Sequence, residues 1–215
     1  MHRSGRSAAL DFRNFFGGHS VMVAVRGRIM LPRFQSLEQT PEDGNFDYGQ
    51  VFFQEKTSGG DRLVIGSKDG HVDLMEALCS NWPDGWYVLY ILVVSRTGRK
   101  EGRYQSPLFD DFTAVQVFNG THQTFLEGDG RHHYWIGTPS NAGLLVYDQH
   151  NVIFAYGDLD HYKGILRARG FREQEFWFPA PHQHHYHMIN DQLEDELFAA
   201  TDWEFHPLQE QDQWD

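Results

Sequence analysis

Histidines and carboxylates are the side chains of this chain whose types and spacing could do chemistry. The densest group is Pro181-His182-Gln183-His184-His185-Tyr186-His187, with Asp191, Glu194 and Asp195 downstream. Imidazole and carboxylate together suit zinc, nickel, copper or non-haem iron. Catalytic sites of this kind usually hold two or three protein ligands and leave a position open. In extended backbone His182 and His184 share a face, while His185 and His187 point the other way. If a helix starts near His184, then His184, His187, Asp191 and Glu194 fall on one stripe instead. The expected ligands are His182, His184, His187 and Asp191, and the cofactor they suit is a divalent transition metal such as zinc. Their spacing matches no named metal motif, and the chain has no His-Glu-x-x-His.

Tyr147-Asp148-Gln149-His150-Asn151 brings a carboxylate, an imidazole and an amide together. It lies between two apolar runs, as a four-residue hairpin loop does. In an enzyme, Asp148 with His150 would form a general acid/base pair, Glu194 would be a further base, and Tyr147 or Tyr156 would orient a ligand. Asp129-Gly130-Arg131-His132-His133-Tyr134-Trp135 leads from a helix end into a strand, where His132 and His133 face opposite sides. Arg96-Thr97-Gly98-Arg99-Lys100-Glu101-Gly102-Arg103 is a cationic hairpin tip that lacks the Walker spacing. Cys79 lies on the apolar side of a helix and reads as a small core residue. Neither a Gly-x-Ser-x-Gly elbow nor a Gly-x-Gly-x-x-Gly run is present.

The elements that must position these groups read as short strands and hairpins broken by a few helices. Segments 51–56 and 62–65 flank a glycine-rich turn. Residues 71–81 place Val72, Met75, Leu78 and Cys79 on one helical side, stopped by Pro83. The continuous β-branched and aromatic run 86–95 predicts a central strand buried on both faces, and 103–105 returns beside it. Ser106-Pro107 reads as the start of a helix ending at Gly128. Strands follow at 133–137, 144–147 and 152–156. Asp158 is a good N-cap for a helix that Gly170 closes in the left-handed region. A strand at 175–178 and an acidic helix at 188–200 complete the main body. Short strands are expected at 21–25 and 28–31, and a loop at 32–49.

The fold expected is α+β: a mostly antiparallel sheet of hairpins with helices on one face. Segments 51–94 and 144–178 share the order strand, strand, helix, strand, which suggests a duplicated unit. A loose tail at 1–20, one domain at 21–200 with halves meeting at 106/107, and an acidic tail at 201–215 describe the expected organisation.

Charge along the chain is uneven. Of 215 residues, 18 are Lys or Arg, 30 are Asp or Glu and 13 are His, for a net −12. Residues 1–108 carry 13 basic and 12 acidic side chains, whereas 109–215 carry 5 and 18. Such acidity argues against duplex nucleic acid as a partner, and one cysteine excludes a disulfide framework. The longest apolar run is half of what a membrane helix needs, so no membrane association and a cytoplasmic location are expected. Two readings follow. The first, preferred by a narrow margin, is an interaction or inhibitory module of the immunity or antitoxin kind. Its acidic, aromatic C-terminal surface would bind a basic protein. The second is a metal-dependent hydrolase or oxygenase built on the 182–191 cluster. A cleft gathering His132 or His133, His150 and the 182–187 run would reverse that order.

Overall fold

The computed structural model describes residues 31–212. The expectations for the 1–20 tail and for strands at 21–25 and 28–31 fall outside it, Leu31 apart. In chain order the strands are β1 (Phe34–Ser36), β2 (Val51–Thr57), β3 (Gly60–Gly66), β4 (Tyr87–Leu92), β5 (Gly102–Gln105), β6 (His132–Gly137), β7 (Leu144–Tyr147), β8 (Val152–Tyr156), β9 (Arg172–Glu173), β10 (His182–His184) and β11 (Glu204–His206). The helices are α1 (His71–Cys79), α2 (Phe112–Gly128), α3 (Leu159–Ala168) and α4 (Asp191–Ala199).

Among the described residues nine strands form one sheet in the order β11-β5-β4-β6-β7-β8-β3-β2-β9, antiparallel except where β9 joins β2. Side chains alternate across it with the two-residue period of a pleated strand. Phe52, Leu63, Ile65, Tyr90, Tyr134, Tyr147 and Ile153 point to the face that α1–α4 cover and form the main core. Phe53, Val64 and Phe154, on the other face, belong to a smaller aromatic cluster. The class is α+β. Its two segments expected as repeats do run strand, strand, helix, strand. However, the α1 crossover passes β8, β7 and β6 to reach β4, while the α3 crossover passes only β3 and β2 to reach β9.

Capping chemistry sets the helix ends. Asp158 accepts the N–H of His161 at 3.0 Å, and Gly170 stops α3 with φ of 86°. The start of α2 lies at Phe112 rather than at Pro107, because Phe109 first pairs with Trp86 through two main-chain hydrogen bonds (2.7 and 2.9 Å). Asp111, which accepts the N–H of Thr113, then caps the helix. The start of α1 is capped from a distance: buried Glu127 accepts the N–H groups of Val72 (2.8 Å) and Gly70 (3.3 Å). A carboxylate there complements the positive end of the helix dipole.

Three segments differ from expectation. Residues 175–178 leave the sheet after Gln174, because Phe176 packs on Tyr48 and Phe53 instead of continuing the ladder. The stretch 201–212, expected as part of an acidic tail, packs on the domain. It adds β11 to the sheet edge, packs Trp203 and Phe205 on the core, and buries Asp212 against Arg103. Within the expected loop 32–49, Phe34–Ser36 pair antiparallel with His182–His184 as a separate two-stranded ribbon.

Candidate metal centre

The turn Asp148–Asn151 between β7 and β8 is built by one carboxylate. Asp148 Oδ1 accepts the N–H groups of His150 (3.0 Å) and Val152 (3.2 Å), and Asn151 takes the left-handed region at φ 64°. Asn tolerates that conformation better than most residues. Asp148 Oδ2 accepts from His150 Nδ1 at 2.9 Å, which fixes the imidazole tautomer and leaves Nε2 with its lone pair. Burial raises the Asp148 pKa, but the hydrogen bond and charge of His150 more than offset this and hold it below its ordinary value.

The β1–β10 ribbon brings the other imidazoles to this turn. Register pairs Phe34 with His184 and Ser36 with His182, so both histidines project from one face of β10 beside Phe34. His150, His182 and His184 each offer a ring nitrogen, and these three atoms lie within 4.8 Å of one another. Their ring centroids are 5.1–5.2 Å apart pairwise. The His182 ring donates from Nδ1 to the Pro179 carbonyl at 3.0 Å, so its Nε2 is likewise left as an acceptor. Burial, reinforced by the neighbouring His150 and His182, pushes the His184 pKa down to about 3, which keeps that ring neutral. Phe34, fully buried, touches all three rings, and Phe178 stacks on His150 at 4.7 Å.

A buried arginine holds the ribbon in place. Arg33 donates to the carbonyls of Leu126 (2.5 Å), His132 (2.8 Å) and Asp148 (3.1 Å), and its guanidinium lies 4.3 Å from the centre of the Tyr147 ring. Gly130 admits the close crossing: a Cβ there would sit 2.7 Å from the Arg33 carbonyl, while the Gly130 N–H donates to His185 O at 2.8 Å.

The donor set fits a small divalent ion. Zinc binds three histidines at about 2.0–2.1 Å with a fourth position open, as in carbonic anhydrase. Neutral imidazoles, one of them oriented by a carboxylate, are the form that coordination requires.

Two of the three histidines, His150 and His182, open on a cleft of about 240 Å³ over the sheet face away from the helices. Phe53, Val64 and Phe154 form its floor and Phe176, Trp177 and Phe178 line it, with His150, His182 and Arg62 also present. A neighbouring cavity of about 180 Å³ shares Arg62, Asp148 and Phe154, and is lined by His133, Trp135 and Val146.

Other residues expected at a site lie elsewhere. His187 donates from Nε2 to the Pro32 carbonyl at 2.7 Å and stacks on His185. Asp191 receives Arg131 (2.9 Å) and Arg96 (3.3 Å). Glu194 is buried with Tyr90 (3.1 Å), Thr97 (2.9 Å) and Arg131 (3.4 Å). The stripe joining His184, His187, Asp191 and Glu194 does not form, because the regular helix starts only at Asp191, after a 3-10 turn at Met188–Asn190. His132 sits between the Tyr90 and Phe125 rings, where burial pushes its pKa well down. His133 faces the opposite side and donates to the Asp212 carbonyl at 3.2 Å. Cys79 is fully buried, and burial raises its thiol pKa.

Charge that is segregated along the chain is partly re-mixed in space. Arg96, Arg99 and Arg103 from the first half close on Asp191, Asp195 and Asp212 from the second. Among the described residues no helix is long and apolar enough to cross a membrane. The chain matches no protein-family model, and comparison with the curated proteins and with the solved structures gives no significant match.

Proposed function

We propose that the protein is a metal-dependent hydrolase or oxygenase, with His150, His182 and His184 as ligands and Asp148 as the group that positions His150. The observation that carries this reading is the convergence of three imidazoles beside a cleft. Two of them have Nδ1 already committed to an acceptor. A divalent ion held there supplies Lewis acidity toward an oxygen of the substrate. Asp148 keeps the proton on His150 Nδ1 and strengthens Nε2 as a donor to metal. Phe34 and Phe178 exclude water from the sides of the rings, which strengthens every electrostatic contact inside.

The experiment is elemental analysis of protein purified without an affinity tag. About one zinc or other transition ion per chain is expected, and it is lost in His150→Ala, His182→Ala and His184→Ala. Metal far below one per chain overturns the reading.

Recognition of a basic protein through the acidic C-terminal region is the second reading. Glu196, Asp202, Glu204 and Glu210, all exposed, support it. Pairing of Asp191, Asp195 and Asp212 with arginines leaves less charge for a partner than the sequence suggests. Charge reversal at Asp195 and Glu196 would abolish a salt-sensitive complex of that kind.

A further inference from the structure

The strand register gives the cleft two chemically different ends. On β8, Val152, Phe154 and Tyr156 share the open face. Val152 follows the Asp148–Asn151 turn, Phe154 faces Val64, and Tyr156 lies one step beyond the Leu63–Ala155 pair, beside Arg62. The row at the histidines and the row at Arg62 are thus four residues apart, about 13 Å along the strand. Between them Phe53, Val64 and Phe154 stand side by side, since Phe53 pairs with Val64 and Val64 with Phe154. Trp177, 80% exposed, lines the cleft with Phe176 and Phe178.

Arg62 is held but not used up. Its Nε donates to Glu55 at 2.6 Å, its Nη1 to the Tyr156 hydroxyl at 2.8 Å, and its guanidinium lies 4.0 Å from the centre of the Phe154 ring. Nη2 makes no hydrogen bond among the described residues, so the fork keeps donors for a ligand oxygen. A planar guanidinium over a ring, at the end of an aromatic trough, selects a carboxylate attached to a flat apolar body.

We infer that the cleft takes an aromatic carboxylic acid of one or two rings. The carboxylate lies at Arg62, the rings between Phe154 and the Trp177 segment, and the opposite end toward the imidazoles. The inference rests on the metal reading for what happens at that end, but its binding step does not. Glu55 has a defined part: it positions Arg62 and also repels the incoming anion, so it sets the affinity from the other side.

The test is fluorescence titration with 1-naphthoate and its neutral isostere 1-naphthamide, on zinc-loaded and chelator-treated protein. Wild type is compared with Trp177→Phe, Glu55→Gln and Arg62→Gln. Saturable naphthoate binding is expected, with a signal that Trp177→Phe largely removes. Arg62→Gln should weaken naphthoate at least tenfold and Glu55→Gln should tighten it severalfold, while naphthamide shifts little with either. Opposite responses to the two changes separate a binding role from damage to the fold, which would lower both affinities together. Equal binding of acid and amide, an unchanged affinity in Arg62→Gln, or no saturable binding overturns the inference. Zinc bound without naphthoate capture overturns this inference alone. Naphthoate capture by protein that takes up no zinc upholds it and overturns the metal reading.

Discussion

Asp148 is bound to His150 twice, through the side chain (Oδ2 to Nδ1, 2.9 Å) and through the main chain (Oδ1 to N–H, 3.0 Å). One carboxylate therefore shapes the turn and sets the tautomer of an imidazole that turn presents. Structure and chemistry are coupled at this residue, and a substitution can separate them.

Asp148→Asn keeps an oxygen to accept the turn N–H groups but sets an NH2 donor opposite His150 Nδ1, which favours the tautomer protonated at Nε2 and removes the lone pair a metal needs. Metal affinity should fall by about 10–100-fold, the usual cost of losing such an orienting partner. Competition against a chromophoric chelator measures it, and the circular dichroism spectrum should be unchanged.

Arg131→Met tests the network that fastens α4. The guanidinium is fully buried and meets Asp129 (2.8 Å), Asp191 (2.9 Å) and Glu194 (3.4 Å). Removing it strands buried carboxylates, which costs about 3–5 kcal/mol. Urea unfolding should report that loss, and zinc stoichiometry of the folded fraction should stay at wild-type level. A stability within experimental error of wild type would contradict the assignment.

Glu127→Ala should destabilise the protein by about 1–2 kcal/mol, since it removes the cap that holds the first N–H groups of α1. The same unfolding experiment checks it, and Glu127→Gln should lose less because the amide oxygen still accepts.

Acid sensitivity follows from histidines buried neutral. Burial first, then the Arg33 charge, takes His71 down to about 3, and burial with the adjacent His150 and His182 does the same for His184. Unfolded, these rings titrate near 6.5, so between about pH 6.5 and 3 the unfolded chain binds more protons than the folded one. Stability is therefore fully present above that window and lost as pH falls through it, by up to about 1.4 kcal/mol per pH unit for each ring. Urea midpoints from pH 7.5 to 4.5 should drop progressively, and His71→Asn should flatten the slope. A midpoint constant across that range would contradict it.

Much of the fold was legible because hydrophobic period and turn chemistry agree. β7 and β8 match their expected bounds residue for residue, and Asp158 and Gly170 close α3 as anticipated. The short ribbon was not legible, since Phe-Gln-Ser and His-Gln-His contain no apolar run, and Arg33 beside it is held by three carbonyls far away in sequence. At the site, the shared face of His182 and His184 was readable from alternation alone. Their partner was not: His150 sits in a hairpin turn whose composition explains itself without a ligand. Residues 176–178 have strand composition, yet the same aromatic rings gain more by packing over the cleft than by extending an edge.

The most direct measurement is calorimetric titration of Zn(II) into untagged, chelator-stripped protein. The wild type and the His187→Ala control should each bind one equivalent, because His187 serves the Pro32 carbonyl rather than the triad. His150→Ala and His182→Ala should lose that site while keeping the wild-type circular dichroism. No saturable uptake by the wild type, or equal uptake in all four proteins, would contradict the assignment of His150, His182 and His184 as the metal centre.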